Sequence, residues 1–202
     1  GVALASAGDV ATCVQRRHAC AVDRLLGAAV PRAAELLALG GRDVATEFPC
    51  LGEDANGGGA GVGDGKERAL RKCDEAIRRA TQRVVAGEVG TLQGCSAAVF
   101  ACLQTRAGDA TCLGRAGARC AGVSDGLAAL EAELATAVAA GCAVPGLEPA
   151  ELVDARGLGF GARAARCAAL GVAALDGPDA VAACLAREAR CRSTQIVESG
   201  TP

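Results

Sequence analysis

Twelve cysteines in a duplicated pattern constrain the fold of this 202-residue chain more than any other feature. Divided after residue 107, they form two sets of six, and each set begins and ends with a close pair that brackets two widely spaced cysteines. The flanking residues repeat as well, since Ala7-Gly8-Asp9-Val10-Ala11-Thr12-Cys13 returns as Ala107-Gly108-Asp109-Ala110-Thr111-Cys112. A repeat of about 95 residues is typical of a duplicated small domain. The sequence therefore predicts two six-cysteine modules, residues 1–107 and 108–202.

The spacing of the cysteines favours disulfides over metal sites. Zinc sites usually have cysteine pairs two to four residues apart, often with histidine nearby, whereas this chain has no Cys-x-x-Cys and a single histidine, His18. Disulfides persist in oxidising compartments. We therefore expect a secreted, extracellular protein, and we expect no metal or other cofactor.

The close pairs predict how the cysteines are joined. Cysteines seven residues apart on a helix share a face but lie about 10.5 Å apart along the axis, beyond the Cα separation of about 7 Å that a disulfide allows. Each must therefore reach another helix, and two antiparallel helices with two such cysteines each can be joined twice. Of the fifteen connectivities open to six cysteines, we predict the nested one in each module. These pairs are Cys13–Cys102, Cys20–Cys95 and Cys50–Cys73, repeated as Cys112–Cys191, Cys120–Cys184 and Cys142–Cys167.

The composition predicts an all-α fold with a thin core. Alanine, the best helix former, supplies much of the 51% apolar content, and the only aromatic residues are Phe48, Phe100 and Phe160. Large side chains supply most buried area, so we expect the disulfides, at about 2–4 kcal/mol each, to stabilise small helical bundles or hairpins. Helices are predicted near residues 9–26, 32–39, 66–86, 91–105, 110–120, 125–140, 149–156, 161–173 and 178–192, with a turn at Gly87–Gly90.

Four other segments have distinct compositions. The two ends, Val2–Ser6 and Thr194–Glu198, are β-tolerant and are predicted to be extended. The glycine run Asn56–Gly65 is predicted to be a flexible linker, because it lacks the Gly-Lys-Ser/Thr ending of a phosphate-binding loop. The longest uncharged run, residues 89–105, has 17 residues, fewer than the roughly 20 of a transmembrane helix. We therefore expect no membrane span.

One segment supports a resemblance. Lys72-Cys73-Asp74-Glu75-Ala76-Ile77-Arg78-Arg79-Ala80, with a further cysteine 22 residues after Cys73, resembles segments of cysteine-rich, repeat-containing secreted proteins of GC-rich bacteria. The resemblance is one of residue composition and cysteine spacing, and it covers most of the chain. It implies neither a function nor any functional residue.

No catalytic constellation stands out, and we do not expect an enzyme. Cys13 and Cys20 are five and two positions from His18, so neither shares a helical face with it, and His18 is predicted to be an exposed surface residue. Neighbouring carboxylates lie on charged helix faces, and nothing in their surroundings marks one of them as a general acid or base. Examples are Asp74 with Glu75 and Glu131 with Glu133.

Two classes of function remain. The first is a structural protein that self-assembles into an extracellular filament or surface layer, as a homopolymer joined through its N- and C-terminal tails. The second is an extracellular binding module, an apolar-ligand carrier or an inhibitor, whose mark would be a cavity lined by leucine and valine with Phe100 or Phe160 at its mouth. With 21 basic and 23 acidic side chains, the charge shows no footprint for nucleic acid or for an anionic membrane. The sequence favours the first class.

Overall fold

The computed structural model describes residues 6–52, 58–59, 61–63 and 65–200. Its helices are α1 (Ala7–Ala29), α2 (Ala33–Leu39), α3 (Val44–Glu47), α4 (Glu67–Thr105), α5 (Ala110–Ala121), α6 (Val123–Cys142), α7 (Pro149–Val153), α8 (Ala164–Ala169) and α9 (Pro178–Gly200), with a short 3₁₀ helix, Phe160–Arg163, before α8. No strand occurs within these residues. The prediction of an all-α, disulfide-stapled fold is therefore confirmed.

One long antiparallel hairpin is the framework of the molecule. α4 has 39 residues and is about 58 Å long at the helical rise. α5 and α6 run back along it with only Gly122 between them. The helices approach closely at Gly87, where an added Cβ would lie 2.8 Å from the Leu130 side chain, and at Gly141, where it would overlap Ala76. Gly87 therefore serves helix packing, and the predicted turn at Gly87–Gly90 is wrong.

α9 and α1 pack onto this hairpin in turn. α9 contacts both α4 and α6, and the three helices share one apolar core that includes Ile77, Val84, Leu134, Val138, Val181 and Leu185. α1 lies mainly against α9 and has little contact with α4. It is antiparallel to α9, because His18 Nε2 lies 3.2 Å from the Ile196 carbonyl oxygen while Ala28 lies in a small cavity beside Leu185.

Buried Arg32 joins two loops at the end of the bundle where α2, α3, α7 and α8 lie. Its guanidinium donates to the carbonyl oxygens of Gly59, Arg156 and Gly157 and pairs with Glu35. The Glu35 carboxylate also accepts from the backbone N–H of Gly59. The glycine run is therefore anchored at Gly59, where a free linker was predicted; residues 56–57, 60 and 64 lie outside the described residues.

The disulfide pairing differs from the prediction. All twelve cysteines are described, and ten of them form Cys20–Cys50, Cys73–Cys142, Cys95–Cys120, Cys102–Cys112 and Cys167–Cys184. Cys13 and Cys191 are unpaired. None of the six predicted pairs occurs: Cys13–Cys102, Cys20–Cys95, Cys50–Cys73, Cys112–Cys191, Cys120–Cys184 and Cys142–Cys167 are all wrong.

The continuity of α4 explains this correction. Because the helix does not turn back at Gly87, its last cysteines, Cys95 and Cys102, extend past α1 to α5. There they meet Cys120 and Cys112, so two helices with two cysteines each are indeed joined twice. The nested arrangement is therefore real, but it lies in one hairpin that includes both halves of the chain.

Three of the five disulfides connect residues 1–107 to residues 108–202. The expectation that each module forms its disulfides internally is therefore wrong. The boundary after residue 107 falls in the turn between α4 and α5. That either module folds by itself stays a prediction.

The C-terminal segment is also corrected. Thr194–Glu198, predicted to be extended, belongs to α9, and Val197 is buried. α1 lies along this segment, so its apolar residues gain burial by remaining helical. At the other end, Ser6 caps α1 by accepting from the backbone N–H of Asp9. Residues 2–5 of the predicted N-terminal tail lie outside the described residues.

Candidate ligand-binding groove

An apolar groove of about 550 Å³ lies between α1 and α4; we call it the α1–α4 groove. Its apolar walls and its floor on α9 are formed by Val22, Leu25, Leu26, Ala29, Thr81, Val85, Ala86, Val89, Gly90 and Ile196. Its polar lining residues are Arg78, Gln82 and Gln93.

The groove arises because two apolar helix faces point toward each other with little direct contact. On α1 the lining residues at 22, 25, 26 and 29 follow the i, i+3, i+4, i+7 spacing of one helical face. On α4 the residues at 81, 85 and 89 are four apart and form a similar stripe. α9 holds α1 away from α4, with Ile196 at the bottom. Such stripes are normally covered by another element, so an uncovered pair of them is a candidate binding site.

Arg78 provides a positive charge at the end of the groove nearest the start of α4. Its Nε lies 3.9 Å from Asp74 Oδ2, and both side chains are partly exposed. Burial raises the pKa of Asp74, and the charge of Arg78 offsets that effect only in part. The guanidinium therefore has one loosely held anionic neighbour and further N–H donors for a second anion.

A second depression, of about 450 Å³, lies on another face of α1. It is lined by Arg16, Arg17, Cys20, Ala21, Arg24, Gln195 and Glu198. Cys20 is bonded to Cys50 there and cannot act as a thiolate nucleophile. With three arginines and Glu198 among its seven lining residues, it is a charged surface feature next to the contact between α1 and α9.

Two buried carboxylates hold α9 in place. Glu188 is 1% exposed and is surrounded by Arg163, Arg166 and Arg192, whose guanidinium nitrogens lie 3.0–3.4 Å from its oxygens. Burial raises the pKa of Glu188, but the hydrogen bond from Arg166 and the three positive charges outweigh it, so the pKa lies below its ordinary value. The adjoining cavity of about 10 Å³ is barely large enough for one water molecule. This cluster is therefore structural.

Glu88 differs because it has fewer partners. Its side chain is fully buried, and Arg190 Nε lies 3.1 Å from one of its oxygens while Arg190 also binds Glu131 at 2.7 Å. The other oxygen and the Ser193 hydroxyl face each other without completing a hydrogen bond of full geometry. Burial raises the pKa of Glu88, and Ser193 and Arg190 lower it by less.

The remaining predicted site features have different positions from those expected. Phe100 is exposed on the outer part of α4 and Phe160 is buried in the core, so neither lines the mouth of the groove. His18 is half-buried against the Ile196 carbonyl, because α9 continues as a helix along α1; its predicted surface position is wrong. Within the described part of the chain, no group of three or more histidine, cysteine or acidic side chains could hold a metal ion.

Compared with models of known protein families, with curated proteins and with solved structures, the chain matches none. Its class is therefore defined by the structure: an all-α protein stapled by five disulfides, with an open apolar groove. Five disulfides indicate an oxidising environment. The resemblance to cysteine-rich bacterial proteins stays a prediction.

Proposed function

We propose that this protein is a secreted, extracellular carrier of an elongated apolar ligand with an anionic head group, of the long-chain fatty-acid class. The α1–α4 groove supports this proposal, because it combines an uncovered apolar channel with an arginine at one end. The disulfides suit a protein of this small-residue composition in an oxidising compartment outside the cell.

The dimensions of the groove suit an alkyl chain. A volume of about 550 Å³ lies within the roughly 300–1,000 Å³ of small-molecule sites. From Arg78 to Gln93 the α4 wall is about 22 Å long at the helical rise, which suits an extended chain better than a compact ring system. Aliphatic side chains form most of the wall, and burial of each methylene contributes about 0.8 kcal/mol. Affinity should therefore come mainly from the chain.

Arg78 supplies the preference for a carboxylate head group. An arginine can donate two parallel N–H bonds to one carboxylate, and the ion pair of Arg78 with Asp74 is long enough, at 3.9 Å, to leave donors for a ligand. At the other end, Gln93 is neutral and attracts a carboxylate less strongly than Arg78 does. The ligand is therefore oriented with its head group at Arg78.

The self-assembling structural protein that the sequence favours has less support. Its C-terminal tail was expected to be an extended strand free to join a neighbour, whereas Ile196 lies in α9 and forms the floor of the groove. Polymerisation stays a prediction, and it would need a surface other than this segment.

A variant that fills the groove tests the proposal. An added Cβ at Gly90 meets no atom within 4 Å, so Gly90→Leu should place a side chain in the groove without disturbing the packing. Gly117→Leu on α5 makes the same chemical change in open space away from the groove and is the matched control. In calorimetric titration with palmitate below its micellar concentration, we expect saturable one-site binding by the wild type and by Gly117→Leu. Gly90→Leu should bind at least tenfold more weakly.

Two results would contradict the proposal. One is the absence of saturable palmitate binding by the wild-type protein. The other is equal affinity of Gly90→Leu and Gly117→Leu, which would show that palmitate binds elsewhere. Circular dichroism of both variants, with unchanged helix content, excludes unfolding as the cause of a loss.

A further inference from the structure

The outer part of the hairpin, residues 89–121, is an arm of two helices; we call it the arm. Cys95–Cys120 and Cys102–Cys112 join its two helices. Three large apolar side chains are exposed on it: Phe100 at 46%, Leu103 at 52% and Leu113 at 37%. Exposed apolar side chains that form a patch often mark a contact with another protein or with a membrane.

The apolar character of the arm is not that of a core helix. Within the described residues, one helix, α4, is long and apolar enough to cross a membrane by length and composition, with a mean hydropathy of 1.3 over 18 residues. Only 11% of that window is buried inside the protein, whereas a core helix with this composition would be mostly buried.

The charge of the arm is positive although the chain is negative. The arm contains Arg106, Arg115 and Arg119 against one acid, Asp109, which makes +2, whereas the whole chain carries −2. The Asp109 carboxylate accepts from the backbone N–H groups of Thr111 and Cys112 and so caps α5. The three cations therefore dominate the surface of the arm.

We propose that the arm is a membrane-docking surface that lies flat in the interface of a bilayer containing anionic lipid. Phe100 and Leu103 are three residues apart and share a helical face, with Arg106 three residues further on. Apolar side chains beside cations are the composition of helices that bind the plane of the interface. Arg106 and Asp109 at the tip oppose end-on insertion, and the disulfides keep Arg115 and Arg119 beside α4, so a transmembrane position would bury charges at high cost.

An anionic lipid surface fits the arm better than a second copy of the chain. Two arms in contact would bring like charges together, whereas phosphate head groups neutralise the arginines. The disulfides keep the two helices paired when the arm leaves water. This inference depends on the arm alone and goes beyond the proposed carrier function; docking would also bring the Gln93 end of the groove close to the lipid.

Vesicle sedimentation with the full, oxidised chain tests the proposal. The probes are vesicles of phosphatidylcholine alone and of phosphatidylcholine with one third phosphatidylglycerol. We expect binding to the anionic vesicles that weakens as salt is added. Phe100→Ser combined with Leu103→Ser should reduce the partition coefficient at least tenfold. Leu36→Ser combined with Leu39→Ser, which removes two leucines of at least comparable exposure from α2, should leave it unchanged.

The arginines supply a second readout. Arg106→Gln and Arg115→Gln should each weaken binding to anionic vesicles about fivefold, whereas Arg79→Gln on the body should not. The proposal is overturned if the wild type binds neither vesicle, or if both serine double variants bind equally well. It is also overturned if Phe100 and Leu103 prove instead to hold an oligomer in analytical ultracentrifugation. Palmitate titration of the Phe100→Ser/Leu103→Ser variant should remain normal, which separates a failure of the arm from a failure of the groove.

Discussion

The Cα atoms of Cys102 and Cys112 lie 5.7 Å apart, on opposite sides of the turn that joins α4 to α5. The bond closes a short loop of ten positions, whereas Cys73–Cys142 closes one of 69 around the same hairpin. Cys95–Cys120 lies between them. The hairpin thus carries three disulfides, one near each end of its shared length and one between.

We predict that these disulfides contribute unequally to stability. In the loop-entropy description, loss of Cys73–Cys142 costs about 4 kcal/mol and loss of Cys102–Cys112 about 3 kcal/mol. The first pair is also buried in the core, so its removal disturbs packing as well. Urea unfolding of the two double alanine variants measures the difference. A larger loss of unfolding free energy for the Cys102→Ala/Cys112→Ala variant would contradict this ranking.

We predict that neutralisation of the two buried glutamates changes stability unequally. Glu188→Gln removes the buried negative charge that Arg163, Arg166 and Arg192 share, while the three positive charges stay close together around that position. It should lower the free energy of unfolding by about 3 kcal/mol. Glu88→Gln removes a charge that burial disfavours, and Arg190 still pairs with Glu131. The free energy of unfolding should therefore change by no more than about 1 kcal/mol. Thermal or urea unfolding at pH 7 compares them, and equal losses would refute the distinction.

The same pair should show opposite pH dependence. The pKa of Glu188 is lowered in the folded protein, so its stabilisation is present above its unfolded pKa of about 4.3 and is lost as the pH falls further. The stability gap between wild type and Glu188→Gln should therefore shrink below about pH 4.3. The pKa of Glu88 is raised in the folded protein. The free energy of unfolding of the wild type should therefore rise relative to that of Glu88→Gln as the pH falls from neutral toward about 4.3. Urea unfolding of the wild type and both variants from pH 7 to pH 3 measures how each stability difference depends on pH.

We predict that Arg78 selects the head group of the ligand. Arg78→Gln should weaken palmitate binding about five- to tenfold, less than a buried charged hydrogen bond would give, because this side chain is partly exposed. It should leave the binding of hexadecanol, which has no carboxylate, nearly unchanged. Arg79→Gln is the matched control, since Arg79 pairs with Glu75 and does not line the groove. Equal loss of affinity for palmitate and for hexadecanol would show that Arg78 does not bind the carboxylate.

Local features of the sequence predicted the helices well. Alanine-rich segments form helices where composition indicates them, and the structure shows Ser6 and Asp109 capping two of these helices. The spacing of the close cysteine pairs predicted doubly joined helical hairpins within each module; one doubly joined hairpin exists, but it joins Cys95 and Cys102 to Cys120 and Cys112, across the two halves of the chain. These features are local, since they depend on propensity and on the angle between residues of one helix.

The candidate site could not be found in the same way. The residues at 22, 25, 26 and 29 form an apolar stripe that the sequence shows, but such stripes are usually covered. That this one faces α4 across an open groove depends on α9, which holds α1 at a distance. The pairing failed for a related reason: Gly87 is a helix breaker by propensity, but Leu130 packs against it and α4 continues.

The sequence by itself determined that this chain is helical and that most of its cysteines form disulfides, because backbone propensity and cysteine spacing act over a few residues. Only the tertiary structure decided which cysteines meet, that Thr194–Glu198 is helical, and that the α1–α4 groove and the arm stay uncovered. These outcomes depend on which helix faces pack together, and the energy of that packing comes from residues far apart in the chain, such as Glu88 with Arg190.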